Sequence, residues 1–474
     1  MSKKNQNYTN RKQNRFQPER MRGNVFVNNS GKQWLPGENG RAAKVERLLR
    51  GVKEKKKEIA GNMAGYKDSG IEYIGQVPKD WEVLRLKNIS NIYAAKEYLF
   101  GEWPVEKNGK PYSPFGEWSS GNEVIITGRV GTIGQYEMLE KNPKKKILIN
   151  DNRLLIRPFT EDYRKKALSH FLFWAMAIVN LNDIITGSAV PLITATSLLK
   201  KRVVIPPLPE QQRISDFLDT KCGILDRTID AVSRQIEDLE KYKKALITKT
   251  VTKGICKKGE PERVMKDSGV EWIGEDIPFD WDINRLQFCI DEISERNYAG
   301  KETHILSLMK DKGVIPYEEK GRVGNISKTD LTQYKLAYQN TLITNSMNII
   351  IGSSGISQYK GCVSPAYYVF KAKPNNDIRY FNYIFAVRAF QNECRRFANG
   401  ILEIRLRISS TNLLKIKVPV PPLAEQQQIA DYLDEKCKNI VNRVQKRRQQ
   451  LEWLKEYKKS MIFDYVTGKK RVEK

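Results

Sequence analysis

The chain contains its own pattern twice, and that duplication limits what it can fold into more than any other feature. Residues 67–86, KDSGIEYIGQVPKDWEVLRL, reappear as residues 266–286, KDSGVEWIGEDIPFDWDINRL. Lys67 matches Lys266, Trp81 matches Trp281 and Leu86 matches Leu286, with one residue inserted near Asp276. A second pair follows: residues 203–222, VVIPPLPEQQRISDFLDTKC, match residues 418–437, VPVPPLAEQQQIADYLDEKC. Between the matched blocks lie about 120 residues in the first half and about 135 in the second, and these middles share little. Drift alone does not predict divergence concentrated in the middles. Alike ends around unlike middles suit one scaffold carrying two different recognition surfaces.

Both halves end in a long helix. Pro207 bars helix upstream, Pro209 is tolerated in a first turn, and Glu210 suits the positive end of the helix dipole. Apolar residues then recur at Leu218, Cys222, Leu225, Ile229, Val232, Ile236, Leu239 and Leu246, in alternating steps of four and three broken only by Lys243. That is a coiled-coil seam. The second half repeats it at Leu433, Cys437, Ile440, Val444, Leu451, Leu454 and Met461, with Arg447 and Lys458 as exceptions. Each helix is expected to run about 40 residues, or about 60 Å. Each seam needs a partner, and the other helix is the economical one. Helix one leads into the second domain, so a full-length pair runs antiparallel and relates the halves by a pseudo-two-fold axis. The alternative is two separate helices, each packed on its own domain or used for homodimerisation.

Charge points to a polyanion. The chain has 82 Lys plus Arg against 55 acids, a net charge of +27 over 474 residues. Nucleic acid is the first partner class such a balance suggests. An anionic membrane surface is weaker, because no apolar stretch approaches the roughly 20 residues that span a bilayer. The basic N-terminus has no apolar core of the kind a secretory signal carries, so the expected location is cytoplasmic. The six cysteines (Cys222, Cys256, Cys289, Cys362, Cys394 and Cys437) form no Cys-x-x-Cys pair and read as reduced thiols. With only His170 and His304, a zinc site is not expected.

The middles read as mixed α/β with meandering strands. The first, about 67–205, has a helix near 166–179; the second, about 266–420, has one near 380–397. The glycine-bearing pieces Gly128–Gly134 and Gly352–Gly355 look like tight turns, suited either to plain strand reversal or to close approach to phosphates. On that ground Arg129, Thr132, Arg153, Asn345, Ser346, Ser353, Ser354 and Arg405 are the candidate DNA contacts, Arg suiting guanine and Asn adenine.

Catalytic signatures do not hold. There is no phosphate-binding Gly-x-x-x-x-Gly-Lys-Ser/Thr loop and no Asn-Pro-Pro-aromatic tetrapeptide. Asp219-Thr220-Lys221 and Asp434-Glu435-Lys436 imitate the acid-x-Lys tail of a nuclease site, but lie where a coiled-coil helix carries its ordinary solvated charges. His170 sits in an apolar helical run, where packing is the ordinary role. A basic, two-headed chain without a catalytic or metal site reads as a recognition subunit, not an enzyme.

At this point the residues resemble a known family. Lys266-Asp267-Ser268-Gly269, Trp272-Ile273-Gly274, Pro278 and Trp281 look like the start of a target recognition domain. Pro206-Pro207-Leu208-Pro209-Glu210-Gln211-Gln212 and Pro421-Pro422-Leu423-Ala424-Glu425-Gln426-Gln427 look like the spacer starts of type I restriction-modification specificity subunits. Ser364-Pro365-Ala366-Tyr367 is similar to a recurring strand of such domains. The resemblance covers about residues 63–470. It implies an α+β fold: two α/β target recognition domains separated by two long antiparallel coiled-coil helices. It implies double-stranded DNA as ligand, two adenine-N6 methyltransferase subunits carrying S-adenosylmethionine, and two restriction subunits using ATP and Mg. This chain itself then needs no cofactor. Glu210, Gln211, Gln212, Glu425, Gln426 and Gln427, opening the helices, are the expected methyltransferase-docking positions.

The expected layout is a basic, disordered extension at 1–62 with a short helix at 41–60. Recognition domain 1 follows at 63–205, the central spacer helix at 206–254 and a linker at 255–265. Recognition domain 2 then spans 266–420 and the C-terminal spacer helix 421–470. The extension holds about 16 Lys/Arg against 5 acids and falls outside the duplication. A competing reading is a coiled-coil architectural protein that binds nucleic acid by charge alone.

Overall fold

The computed structural model describes residues 65–95, 123–127, 134–139, 153–162, 164–187, 191–255, 259, 263–309, 312–321, 330–347, 349–398 and 406–473. Two compact units divide the chain: Met1–Gln212 with Val466–Arg471, and Arg213–Tyr465 with Val472–Lys474.

Unit 1 opens with a hairpin of β1 (Tyr66–Asp68) and β2 (Gln76–Pro78). The Lys-Asp-Ser-Gly motif builds its turn. Asp68 accepts from the Gly70 amide at 2.9 Å, Ser69 accepts from Ile71 at 3.1 Å, and Gly70 takes φ +66°. Short polar side chains that bond the backbone two residues on, followed by a left-handed residue, explain why Asp, Ser and Gly stand in that order. Strand β3 (Glu82–Arg85) follows, then β4 (Ser90–Ala95), β5 (Glu123–Thr127), β6 (Tyr136–Leu139), β7 (Arg153–Pro158), helix α1 (Ser169–Met176), helix α2 (Ala195–Leu199) and β8 (Arg202–Ile205). β3 pairs antiparallel with β8, and the main sheet has the order β4-β7-β5-β6. Phe171, Leu172, Trp174 and Ile156 are buried here. Helix α3 (Leu208–Lys253) then begins.

Unit 2 repeats this order. β9 (Met265–Val270) and β10 (Gly274–Pro278) form the opening hairpin, with Asp267 and Gly269 in the places of Asp68 and Gly70. The residue inserted near Asp276 has a structural home: the register shifts between Gly274 and Asp276, as a β-bulge absorbs one extra residue without disturbing its neighbours. β11 (Asp282–Arg285), β12 (Ile290–Glu292), β13 (Leu306–Met309), β14 (Gly313–Pro316), β15 (Lys335–Ala337), β16 (Leu342–Asn345), β17 (Ser354–Ile356), β18 (Gly361–Val363) and β19 (Tyr367–Ala372) follow. Helices α4 (Ile378–Phe385), α5 (Arg388–Arg396) and α6 (Ser410–Leu414) then lead to β20 (Lys417–Val420) and helix α7 (Leu423–Val466). β11 pairs with β20, and the main sheet has the order β12-β19-β16-β17, matching unit 1 strand for strand. The pairs β13–β14 and β15–β18 have no counterpart among the described residues of unit 1.

Three details differ from the sequence expectation. The helix expected at 380–397 is two helices with a corner at Ala386–Val387. Phe385 and Phe390 stack across the corner at 5.1 Å, and the buried Gln391 amide donates to the Phe385 carbonyl, so tertiary packing replaces the helical bonds missing there. Ser364-Pro365-Ala366 is a turn, closed by the Tyr367 amide on Ser364, and the strand starts at Tyr367. Helices α3 and α7 are longer than expected, at 46 and 44 residues, or about 65–70 Å each.

Inside unit 2 the helices α3 and α7 run antiparallel. Phe217 meets Tyr465, Asp226 accepts from Lys458 at 2.6 Å, and Glu240 accepts from Arg448 at 2.8 Å, so positions rise on one helix as they fall on the other. Val232 and Ile236 bury against Ile440, Val444 and Leu454, flanked by Leu225, Ile229, Leu239, Leu246 and Leu451. Lys458, an exception to the apolar spacing, sends its ammonium to Asp226 beside the seam, as long amphipathic side chains do. The expected seam is not uniform. Leu433 and Cys437 belong to the core of unit 2 together with Ile247 and Val251, so each helix spends one end packing against a domain. Leu218 is fully buried as well.

Candidate nucleic-acid interface

The duplicated motifs meet in each unit and form the same clasp. In unit 1 the fully buried Trp81 donates its indole Nε1 hydrogen to Glu210 at 3.0 Å. In unit 2 Trp281, equally buried, donates to Glu425 at 2.9 Å. The next residue of each motif is a fully buried glutamine. Gln211 accepts from the Leu168 amide and donates to the Lys166 and Pro206 carbonyls, at 2.7–2.8 Å. Gln426 accepts from the Asp377 amide at 2.9 Å and donates to the Pro421 carbonyl at 2.8 Å. Leu168 and Asp377 are the N-cap residues of the corresponding helices α1 and α4. One glutamine amide therefore joins the start of the long helix to the start of a domain helix, and satisfies polar groups that burial would otherwise leave unpaired.

An arginine completes each clasp. Arg263 grips Asp280 at 2.7 and 2.9 Å and reaches Glu425 at 2.8 Å. The bond from Arg263 holds the Asp280 carboxyl below its ordinary pKa. In unit 1 Arg471 takes that place, bonding Asp80 at 2.6 Å with its Nε 3.6 Å from Glu210. Gly254 and Gly468 lie beside the two indoles with φ +77° and +72°. A Cβ on Gly468 would come within 2.5 Å of Pro78 and 3.1 Å of Trp81, so glycine is needed for both conformation and space.

These contacts give four of the six docking candidates partners within their own domain. Glu210, Gln211 and Gln426 are buried and Glu425 is half-buried, all four engaged by their own domain. Of the six polar side chains in the two motifs, Gln212 and Gln427 are the exposed ones. Asp434, in one of the acid-x-Lys imitations, accepts from Tyr383 and Arg379, an ordinary helix-to-domain contact.

The expected DNA contacts are scattered. Arg129, Thr132 and Arg405 lie outside the described residues, and Arg153 is described only as the first backbone position of β7. Asn345, Ser346 and Ser353 are folded into their own domain, each 8% exposed or less. The Asn345 side chain accepts from the Met347 amide, and the Ser353 carbonyl accepts from Thr344. The described part of the β16–β17 connection packs partly inward, with Ile349 fully buried in the core and Gly352 against Gln391 of α5, while Ile351 is exposed. Ser354 is half-buried and donates to Asn382. Gly355 is a packing glycine, its Cβ position 3.3 Å from the Gly313 backbone.

A surface that the sequence reading missed lies on unit 2, around a turn at Asn297–Gly300. Tyr298 is 73% exposed, the most exposed of the large hydrophobic side chains described. The Gly300 amide closes the turn on the Asn297 carbonyl at 2.7 Å, with Gly300 at φ +61°. Asn297 is 4% exposed; its amide side chain donates to the Glu302 carbonyl at 2.8 Å and accepts from the Glu302 amide at 3.1 Å. The neighbouring connection joins it through His304, whose Nδ1 is 2.9 Å from the Lys360 carbonyl and whose ring meets Tyr359 edge-on at 5.9 Å. Arg296, Lys301 and Lys360 are exposed around it. The only sequence signal was the string Asn-Tyr-Ala-Gly, a turn pattern like many others.

Comparison with known proteins places this geometry. A family model described as type I restriction modification DNA specificity domain matches twice, at residues 78–241 and 285–452. The MjaVIII type I restriction enzyme specificity subunit of Methanocaldococcus jannaschii is 25% identical over 430 residues, covering 84% of this chain and 95% of that protein. The putative MjaX specificity subunit of the same organism is 26% identical over 440 residues, covering 84% and 96%. A chain in a solved structure concerning complex assembly and conformational transition of the type I R-M system is similar in fold. Its TM-score is 0.56 at 16% identity, with 83% of this chain and 99% of that one covered.

Proposed function

Since the chain belongs to the type I restriction-modification DNA specificity family, with two specificity domains, we propose that it reads a bipartite DNA site, one half-site per recognition domain. It does so as the non-catalytic subunit of a complex with two adenine-N6 methyltransferase subunits, which carry S-adenosylmethionine. Restriction subunits using ATP and Mg join the same assembly. The observation that carries this reading is the clasp made twice from the same residue types, around two domains whose middles differ in sequence. An identical frame with unlike contents is what two different half-sites read by one protein require. The helix pair acts as the ruler that sets the spacer between half-sites, and its exposed faces, with Gln212 and Gln427, are offered to the methyltransferases. Among the described residues no helix is long and apolar enough to cross a membrane.

The test is a methylome. The purified chain alone is expected to neither methylate nor cleave DNA. Co-expressed with its methyltransferase, it is expected to yield adenine methylation at a split consensus with a fixed spacer. Seven residues inserted into α3 alone should break register with α7 and abolish assembly. Lengthening both helices together should change the preferred spacer. Equal affinity for unrelated duplexes, a steep salt dependence and no consensus would instead support the charge-driven architectural protein.

A further inference from the structure

We propose that the Asn297–Gly300 turn, with Tyr298 at its tip and Lys301 and Lys360 beside it, is the DNA-reading element of recognition domain 2. This rests on the functional reading above and adds which surface of the domain meets the duplex.

Four observations converge on it. The turn lies in the part of unit 2 whose sequence is not shared with unit 1. It sits between β12 and β13, bonds Tyr334 just before β15 and, through His304, the start of β18. β13, β14, β15 and β18 have no described counterpart in unit 1. A surface that distinguishes one half-site from another belongs among such elements. The turn is also rigid: its one buried polar side chain, Asn297, bonds both backbone groups of Glu302, and the Asn297 amide donates to the Tyr334 carbonyl at 2.9 Å. A braced turn holding an aromatic side chain 73% exposed needs a reason, since no described residue of its own domain covers Tyr298.

Charge favours a polyanion over an apolar partner. Each of the carboxylates nearby has a donor of its own: Glu302 takes the His304 amide, the exposed Glu295 the Tyr338 hydroxyl, the exposed Asp330 the Thr332 hydroxyl, and Glu292 pairs with Lys335. Lys301 and Lys360 have no carboxylate partner among the described residues. Tyr298 is followed by Ala299, Gly300 and Lys301, so the turn itself carries one large apolar side chain. Shape agrees. A tight turn with small residues behind its tip can enter a major groove about 12 Å wide, where the tyrosine ring meets base edges and the flanking lysines meet phosphates. Asn297 is then a positioning residue, acting only through the turn.

The experiment uses the full chain assembled with its methyltransferase and compares the methylated consensus of wild type, Tyr298→Ala, and Lys301→Ala/Lys360→Ala. For Tyr298→Ala the expected result is about tenfold weaker discrimination at one or more base pairs of one half-site, with the other half-site unchanged. For the double lysine variant the consensus should hold, while the salt slope of binding falls by about one for each phosphate no longer neutralised. Thermal melting of the variants should match wild type, since all three side chains are exposed. An unchanged half-site in Tyr298→Ala overturns the assignment, as does equal weakening at both half-sites. If the wild-type complex has no split consensus at all, the functional reading itself falls and this assignment with it. The wild-type and variant arms therefore separate the two failures.

Discussion

Trp81 donates its indole hydrogen to Glu210, 129 residues further along the chain, and Trp281 does the same to Glu425 across 144 residues. The tryptophan opens each repeat and the glutamate opens each long helix, so this bond closes a whole domain onto the helix that follows it. The buried glutamine beside each glutamate adds a second tie of the same kind. The Pro-Pro-Leu-x-Glu-Gln-Gln motif is thereby a folding element, with its first two polar side chains facing inward.

Removing the carboxylate should therefore destabilise the unit that holds it. Glu425→Ala leaves the Trp281 indole and the Arg263 guanidinium without this acceptor, and a loss of about 2 kcal/mol is expected from hydrogen bonds to a charged group. Denaturant melts of wild type and variant check it. A shift no larger than that of an exposed substitution such as Gln427→Ala would rule out the clasp.

Gln426→Ala should cost about 1–3 kcal/mol by taking this partner from the half-buried Asp377 amide and the buried Pro421 carbonyl. Hydrogen exchange is the sharper measurement here. Protection at the start of α4 should fall before protection in the β12–β19 pair does.

The helix seam makes a paired prediction. Ile440 is 5% exposed against the α3 seam and its neighbour Val441 is 36% exposed. Ile440→Ala should cost about 2–4 kcal/mol through reduced burial and an unfilled cavity. Val441→Ala should stay within about 0.5 kcal/mol. Equal effects in calorimetry would contradict the seam.

Acid should weaken unit 2 through Asp280. Its folded pKa is depressed by the bond from Arg263. The stability it contributes is thus fully present above the unfolded aspartate value of about 3.9 and is lost as pH falls through the lower folded value. Melting temperature measured from pH 5 to pH 3 should fall more steeply in wild type than in Asp280→Asn. Parallel curves would show that the ion pair carries no pH dependence.

Burial pushes the thiols of Cys222, Cys289 and Cys362 up to about 11, and that of Cys394 further. At pH 8 these four should resist alkylation by iodoacetamide in the native protein and label fully in guanidinium. Mass spectrometry of the labelled peptides decides it, and rapid native labelling would mean that the cores open.

The sequence alone determined the duplication, the two long helices with their apolar spacing, and the turn chemistry of Lys-Asp-Ser-Gly. Each of these is written in short-range residue order. A helix repeats every few residues, and an Asp that bonds the amide two positions on needs no distant partner. The inserted residue near Asp276 was visible too, but only strand register made it a bulge. What the tertiary structure decided is every relation made across a domain. It paired Trp81 with Glu210, broke the helix after Phe385 and gave the helix ends at Leu433 and Val251 to the core of unit 2. It also buried Asn345, Ser346 and Ser353 while leaving Tyr298 in water. Those outcomes depend on which surfaces cover one another. Asn345 and Asn297 are the same residue type beside glycine-bearing turns, and both are buried. One serves an inward connection and the other braces an exposed tip, and only packing distinguishes them.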